Sequence, residues 1–247
     1  MLAPREIDRL TLRARPGGWP LMRQWWGKLL FMHWRVPAEE LRPLIPSRLE
    51  IDTFDGSAWI GVVPFTMWGV RQSWLPAVPR LSAFHELNVR TYVHLDGVPG
   101  VWFCSLDAAN PLAVWGARRF YHLPYFNARM SLDQRGQTIT YRSERTHRGA
   151  PSASFAATWE IGDPLGQTQP DALDFFLTER YCLYAAAPDG RLYRCRIFHE
   201  PWPLRAASLT DFRATMIEAQ GLQAPADGPL LHYAEALKVD VWPLARV

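Results

Sequence analysis

The sequence predicts a mainly β (α+β) fold: an antiparallel barrel with a few peripheral helices. Two observations lead there. The 247 residues include 12 Trp, 21 Pro and 16 Gly, a mixture that suits short strands joined by punctuated turns better than a helical bundle. The strand-like runs are separated by turn pairs, among them Asp55-Gly56, Asp96-Gly97 and Asp189-Gly190. With no repeat and no low-complexity linker, residues 1–20 are expected to form an irregular lead-in and residues 21–247 one domain.

The elements follow in order. A strand is expected over residues 28–35, carrying Leu29, Phe31 and Trp34. Pro37 then opens a short helix over residues 38–42, because proline is pre-set for a first helical turn, and Pro46 ends it. A short strand is expected at residues 49–52. The run 57–70 places Trp59, Val63, Phe65 and Met67 on one parity and Ile60, Val62 and Trp68 on the other, so it reads as a strand covered on both faces. In residues 84–95, Leu87, Val89, Thr91 and Val93 form an apolar face, while Phe84, Glu86, Asn88, Arg90, Tyr92 and His94 form a largely polar one. Asp96-Gly97 turns this strand into a partner over residues 101–106. Asn110 caps a helix with Pro111 in its first position, running to about residue 121. Strands are expected at 125–132, 139–144, 154–161 and 192–199, and helices at 171–181 and from Asp211 to about residue 219. Residues 230–241 supply the closing strands.

Composition narrows the function. The net charge is +3 and the basic residues are spread along the chain, without the clustered footprint that nucleic acid requires. No stretch approaches the ~20 apolar residues that span a bilayer, and the first twenty residues carry charges throughout instead of a signal-peptide core. A cytoplasmic protein that binds neither nucleic acid nor membrane is therefore expected. Cys104, Cys182 and Cys195 lack CxxC spacing and read as buried free thiols. His85-Glu86 begins like a zinc-protease signature but lacks the second histidine, and the seven histidines show no paired ligand spacing. No metal site or cofactor is expected.

The face bearing Glu86, Asn88 and Arg90 is the most informative local feature. It either meets water, as one side of many antiparallel strands does, or lines an interior in which Arg90 clamps a carboxylate and Glu86 handles a proton. Alternation alone leaves both open.

Residues 33–52, with Pro46-Ser47-Arg48-Leu49-Glu50-Ile51-Asp52, resemble the opening segment of acetoacetate decarboxylases. Phe84-His85-Glu86 is similar to that family's aromatic-x-Glu strand, and residues 116–124 to the helix that leads into its paired-lysine strand start. More closely, residues 84–93, 177–185, 201–204 and 229–233 resemble the bacterial YqjF-like family, a group of unknown function in the same superfamily. The resemblance implies an acetoacetate decarboxylase-like barrel, a glutamate at position 86 facing the cavity, and an oligomer. It also marks a departure. Where the decarboxylases carry adjacent lysines after the proline, this chain has Tyr125 and Phe126, neither of which can form an imine. Only Lys28 and Lys238 are lysines among 27 basic residues; Lys28 falls near a substrate-side basic residue of the family.

Glu86 is thus the candidate acid–base group and Tyr125 the residue at the lost lysine's place. Arg90, Asn88, Arg118, Arg119 and Lys28 are candidate ligand contacts. Three readings stand: a small anionic or carbonyl-bearing molecule bound without turnover; a lyase, isomerase or hydratase that works without a Schiff base; or a structural module whose cavity is filled.

Overall fold

A computed structural model describes residues 7–78 and 82–247. Twelve strands carry the architecture: β1 (Met22–Val36), β2 (Glu50–Ile51), β3 (Ala58–Gln72), β4 (Phe84–Leu95), β5 (Val98–Ala108), β6 (Tyr125–Arg135), β7 (Thr138–Arg145), β8 (Ser154–Pro164), β9 (Cys182–Ala186), β10 (Leu192–Phe198), β11 (Leu204–Ala214) and β12 (Leu230–Arg246). The helices are few: α1 (Ala38–Leu41), α2 (Pro111–Phe120) and α3 (Leu173–Thr178). None of the described helices is long and apolar enough to cross a membrane.

Strand pairing explains how so long a sheet avoids open edges. The order β5-β6-β7-β8-β11-β12-β1-β3-β4 returns to β5, because β4 pairs with β5, and the ring closes. A second path, β9-β10, bridges β5 to β12. The stretch β1-β3-β4 is therefore a wall shared by two compartments, and β3 is apolar on both parities for that reason. Leu30, Met32, Ile60, Val62, Leu87 and Val89 face the larger core, which also holds Tyr141, Phe155 and Trp159. Leu29, Phe31, Val63, Phe65 and Met67 face the smaller one, with Cys195, Ile197 and Trp202.

Several expectations change. The pairing is not wholly antiparallel: β5 runs parallel to β6 and to β9, since α2 carries the chain across from β5 to β6 so that it sets out again in the same direction. The helix expected from Asp211 is instead the end of β11. With a register break between Leu209 and Asp211 against β8, Leu209 and Phe212 both pack against the larger core, a three-residue spacing that resembles a helix. Only a single 3₁₀ turn, Glu218–Gln220, follows. Strand β9 occupies residues that the sequence left unassigned, α3 is shorter than expected, and the closing strands are one continuous β12.

Candidate functional site

Strand β4 builds the site. Its odd residues Leu87, Val89 and Val93 pack into the larger core, so strand alternation points Glu86, Asn88 and Arg90 into the smaller compartment. There they line a cavity of about 130 Å³ together with Gln24, Trp26, Phe65, Phe103, Tyr121, Tyr125 and Trp202. All three polar side chains are buried; Glu86 is 3% exposed.

Tyr125, the first residue of β6, donates its hydroxyl to Glu86 Oε2 at 2.6 Å. On the far side of the wall the Tyr141 hydroxyl donates to the Glu86 carbonyl at 2.9 Å and fixes the backbone there. Burial pushes the Glu86 carboxyl up to about 8, against the pull of hydrogen bonds from Tyr125 and Asn88 and with a further push from Asp107. Burial, with the neighbouring Glu86 carboxylate, likewise holds the Tyr125 phenol well above its ordinary value. Both groups accordingly favour their protonated forms at neutral pH.

Arg90 lies four residues further along the same face. Its Nη2 donates to the Leu177 carbonyl at 3.1 Å and to the Tyr92 hydroxyl at 3.4 Å, and its guanidinium sits 5.1 Å from the Phe31 ring centroid. Tyr92 in turn bonds the Leu177 carbonyl and His33 Nε2. His33 is kept neutral, its pKa well below the usual range through burial first and Arg90 second. The neighbouring Arg180 pairs at 2.7 Å with Asp52, which also binds Arg9, whereas Arg90 has no carboxylate partner among the described residues. Arg90 thus meets the cavity without a carboxylate paired to it among the described residues, the nearby buried Glu179 being bonded instead to the Trp202 backbone N–H and the Tyr181 hydroxyl. Asn88 Oδ1, Arg90 Nε, Trp26 Nε1 and Trp202 Nε1 also lack a hydrogen-bond partner among the described residues.

The other candidates lie elsewhere. Arg118 donates to the Tyr125 carbonyl at 2.8 Å and faces an open groove outside, with Trp102, Cys104, His122 and Phe126. Arg119 is exposed beside the Phe120 ring. Lys28 adopts a φ of 51° where β1 loses register with β3, and it pairs with Glu235 across β12. Lys238 is exposed. Gln24, Tyr121, Trp26 and Trp202 were not foreseen; the first three depend on the register of β1 and the placement of α2, for which the local sequence holds no signal.

No group of three His, Cys, Asp or Glu among the described residues is arranged to hold a metal ion. The three cysteines are free, and burial pushes each thiol up to about 12, which makes them poor nucleophiles.

The model of the DUF2071 family, described as an uncharacterised conserved protein, matches residues 23–238. The chain belongs to the DUF2071 family. It is 44% identical over 231 residues to the uncharacterised protein YqjF of Bacillus subtilis, covering 94% of each chain. Among solved structures, this DUF2071 chain resembles an acetoacetate decarboxylase-like enzyme from Sphingomonas wittichii with TM-score 0.61 at 11% identity, covering 92% of this chain and 93% of that one. It also resembles the enduracididine biosynthesis enzyme MppR, in complex with the condensation product of pyruvate and imidazole 4-carboxaldehyde, with TM-score 0.65 at 12% identity, covering 92% and 89%. The DUF2071 chain therefore has the acetoacetate decarboxylase-like fold that its sequence motifs suggested.

Proposed function

We propose that this protein binds a small monoanionic, carbonyl-bearing molecule in the Glu86–Arg90 cavity and does so without forming an imine. The observation that carries the reading is the charge arrangement along one strand face. A protonated carboxyl at Glu86, hydrogen-bonded to Tyr125, and an arginine at position 90 without a carboxylate partner among the described residues together favour one negative charge and one hydrogen-bond acceptor. At about 130 Å³ the cavity is far larger than the ~10–15 Å³ one water needs, which disfavours a filled interior. The similarly folded MppR has been seen with pyruvate, a molecule of this class. Against imine chemistry stand Tyr125 and Phe126 where the sequence resemblance sets the decarboxylases' lysines, with Lys28 held by Glu235 and Lys238 exposed.

Thermal unfolding with pyruvate, acetoacetate, butyrate and butanone tests the reading. A ligand in hundredfold excess over its Kd stabilises the native state by ~2.7 kcal/mol, worth several degrees in Tm for a chain of this size. The keto acids are expected to raise Tm most, and Arg90→Met to abolish the gain. No shift from any of the four overturns the proposal.

A second reading, turnover by acid–base chemistry, is favoured by the Glu86 carboxyl at about 8, since a proton carrier works best near ambient pH. Glu86 would move a proton at the carbon beside the ligand carbonyl while Tyr125 donates to the carbonyl oxygen. Exchange of the α-protons of the bound keto acid in heavy water, followed by proton NMR and lost in Glu86→Gln, supports turnover. A bound acid that never exchanges leaves the protein a binder.

A further inference from the structure

Helix α2 does more than connect β5 to β6. Its residues Ala113, Gly116, Ala117 and Phe120, spaced i, i+3, i+4 and i+7, form one stripe. That stripe faces the ends of β1 and β3 and lines an outer space of about 540 Å³ with Met22, Met67, Val70 and Phe84. Among the described residues, no charged side chain lines this space. Six residues belong to both its wall and that of the Glu86 cavity: Met22, Gln24, Met67, Ala117, Tyr121 and Tyr125. Two of the six are methionines, whose unbranched side chains repack at low cost.

Gln24 singles this junction out. Its side chain is 8% exposed and lines both spaces, so a molecule spanning them would lie against its amide. Gly116 is an anomaly within the helix. A Cβ there would meet nothing within 4 Å, and glycine inside a helix costs ~1 kcal/mol against alanine. Neither packing nor backbone geometry demands it. What its missing side chain leaves open is the outer space.

We infer that the ligand is a keto acid with an apolar tail, an alkyl or aryl chain that runs from the Glu86–Arg90 cavity past Gln24 and lies against α2 in this vestibule. The inference rests on the proposed function and extends it to the substrate class. Lone apolar acids of three or four carbons would leave the vestibule unused; a longer chain buries its methylenes against Ala113, Gly116 and Phe120. The exposed Trp115, in edge contact with Phe120 at 5.6 Å between centroids, extends the apolar rim outward.

The test is isothermal titration with straight-chain 2-oxo acids of four, six and eight carbons, on wild type and on Gly116→Phe, with sedimentation velocity on both proteins. Each methylene buried in the vestibule is expected to lower Kd about fourfold, the equivalent of ~0.8 kcal/mol. In Gly116→Phe the ratio of Kd between the four- and eight-carbon acids should collapse towards one. Gly116→Leu gives the same readout with a smaller side chain should the phenylalanine disturb folding. Acids that bind equally at every length overturn the tail and leave the head-group site standing, provided Arg90→Met still abolishes their binding. A length dependence that survives at position 116 overturns the vestibule as its seat. A dimer that Gly116→Phe dissociates overturns the inference too, because a second copy then covers α2. Failure of every acid to bind overturns this inference and the proposed function together.

Discussion

Glu86 shows how one side chain sets the behaviour of its surroundings. Its carboxyl is raised from 4.5 to about 8, so the folded protein holds this proton more tightly than the unfolded chain does. Between those two pH values the unfolded chain releases the proton and the folded one retains it, and stability falls as pH rises across the interval. Glu86→Gln removes this component. The difference between wild-type and variant Tm is therefore expected to move in the variant's favour from pH 5 to pH 8 and to level off above it. Taking the difference separates Glu86 from His33, His85 and His199, whose depressed values act in the opposite sense below their ordinary range. A difference that stays flat with pH would mean that the carboxyl is hydrated. The candidates at 86, 88 and 90 were legible because a strand's period of two is local. Lys28 was not, since its positive φ beside Gly27 turns the side chain towards Glu235, and Gly27 itself is required because a Cβ would lie 2.4 Å from the Glu235 carbonyl.

At the scale of the element, α2 is the part of the site most dependent on its ends. Asn110 Oδ1 accepts from the backbone N–H groups of Leu112 at 3.0 Å and Ala113 at 3.2 Å, and Pro111 occupies the first turn. Asn110→Ala is expected to cost about 1 kcal/mol and, because α2 borders the cavity, to speed proteolysis within residues 111–121 relative to the sheet. Limited proteolysis read by mass spectrometry checks this; cleavage unchanged at that segment would mean that packing alone holds the helix. This cap was visible in the sequence, as were the Asp96-Gly97 turn and the bounds of β4, because each depends on residues adjacent in the chain. Strand β11 was not. The irregularity near Leu209 interrupts its alternation, and a bulge is decided by the partner strand, which lies some fifty residues earlier in the sequence.

For the whole molecule, the decisive feature is that the wall β1-β3-β4 has an interior on each side. The sequence disclosed this for β3, whose two parities are both apolar. It left β4 undecided, because a polar face reads the same whether it meets water or a cavity, and only the β9-β10 bridge, built from residues about a hundred positions downstream, settles which. Across the larger compartment Arg145 of β7 binds Asp107 of β5, with Nη2 at 2.8 Å and both side chains almost wholly buried. Arg145→Leu would leave Asp107 buried without its counter-charge. That is expected to cost about 3–5 kcal/mol, measured by urea unfolding, whereas a loss under 1 kcal/mol would show that water reaches the carboxylate. The family resemblance and fold were legible from motifs spread over most of the chain; the vestibule beside α2 was not, since it arises where three distant segments meet.

The central claim is that the Glu86 carboxyl is enclosed beside Tyr125 and titrates accordingly. Carbon-13 NMR of protein labelled at glutamate side-chain carboxyls, with the Glu86 resonance assigned by its loss in Glu86→Gln, measures this directly. The midpoint is expected near 8, rising further in Tyr125→Phe as a hydrogen bond to the carboxylate is lost. A midpoint near 4.5, unmoved by that substitution, would place the side chain in solvent and contradict the account.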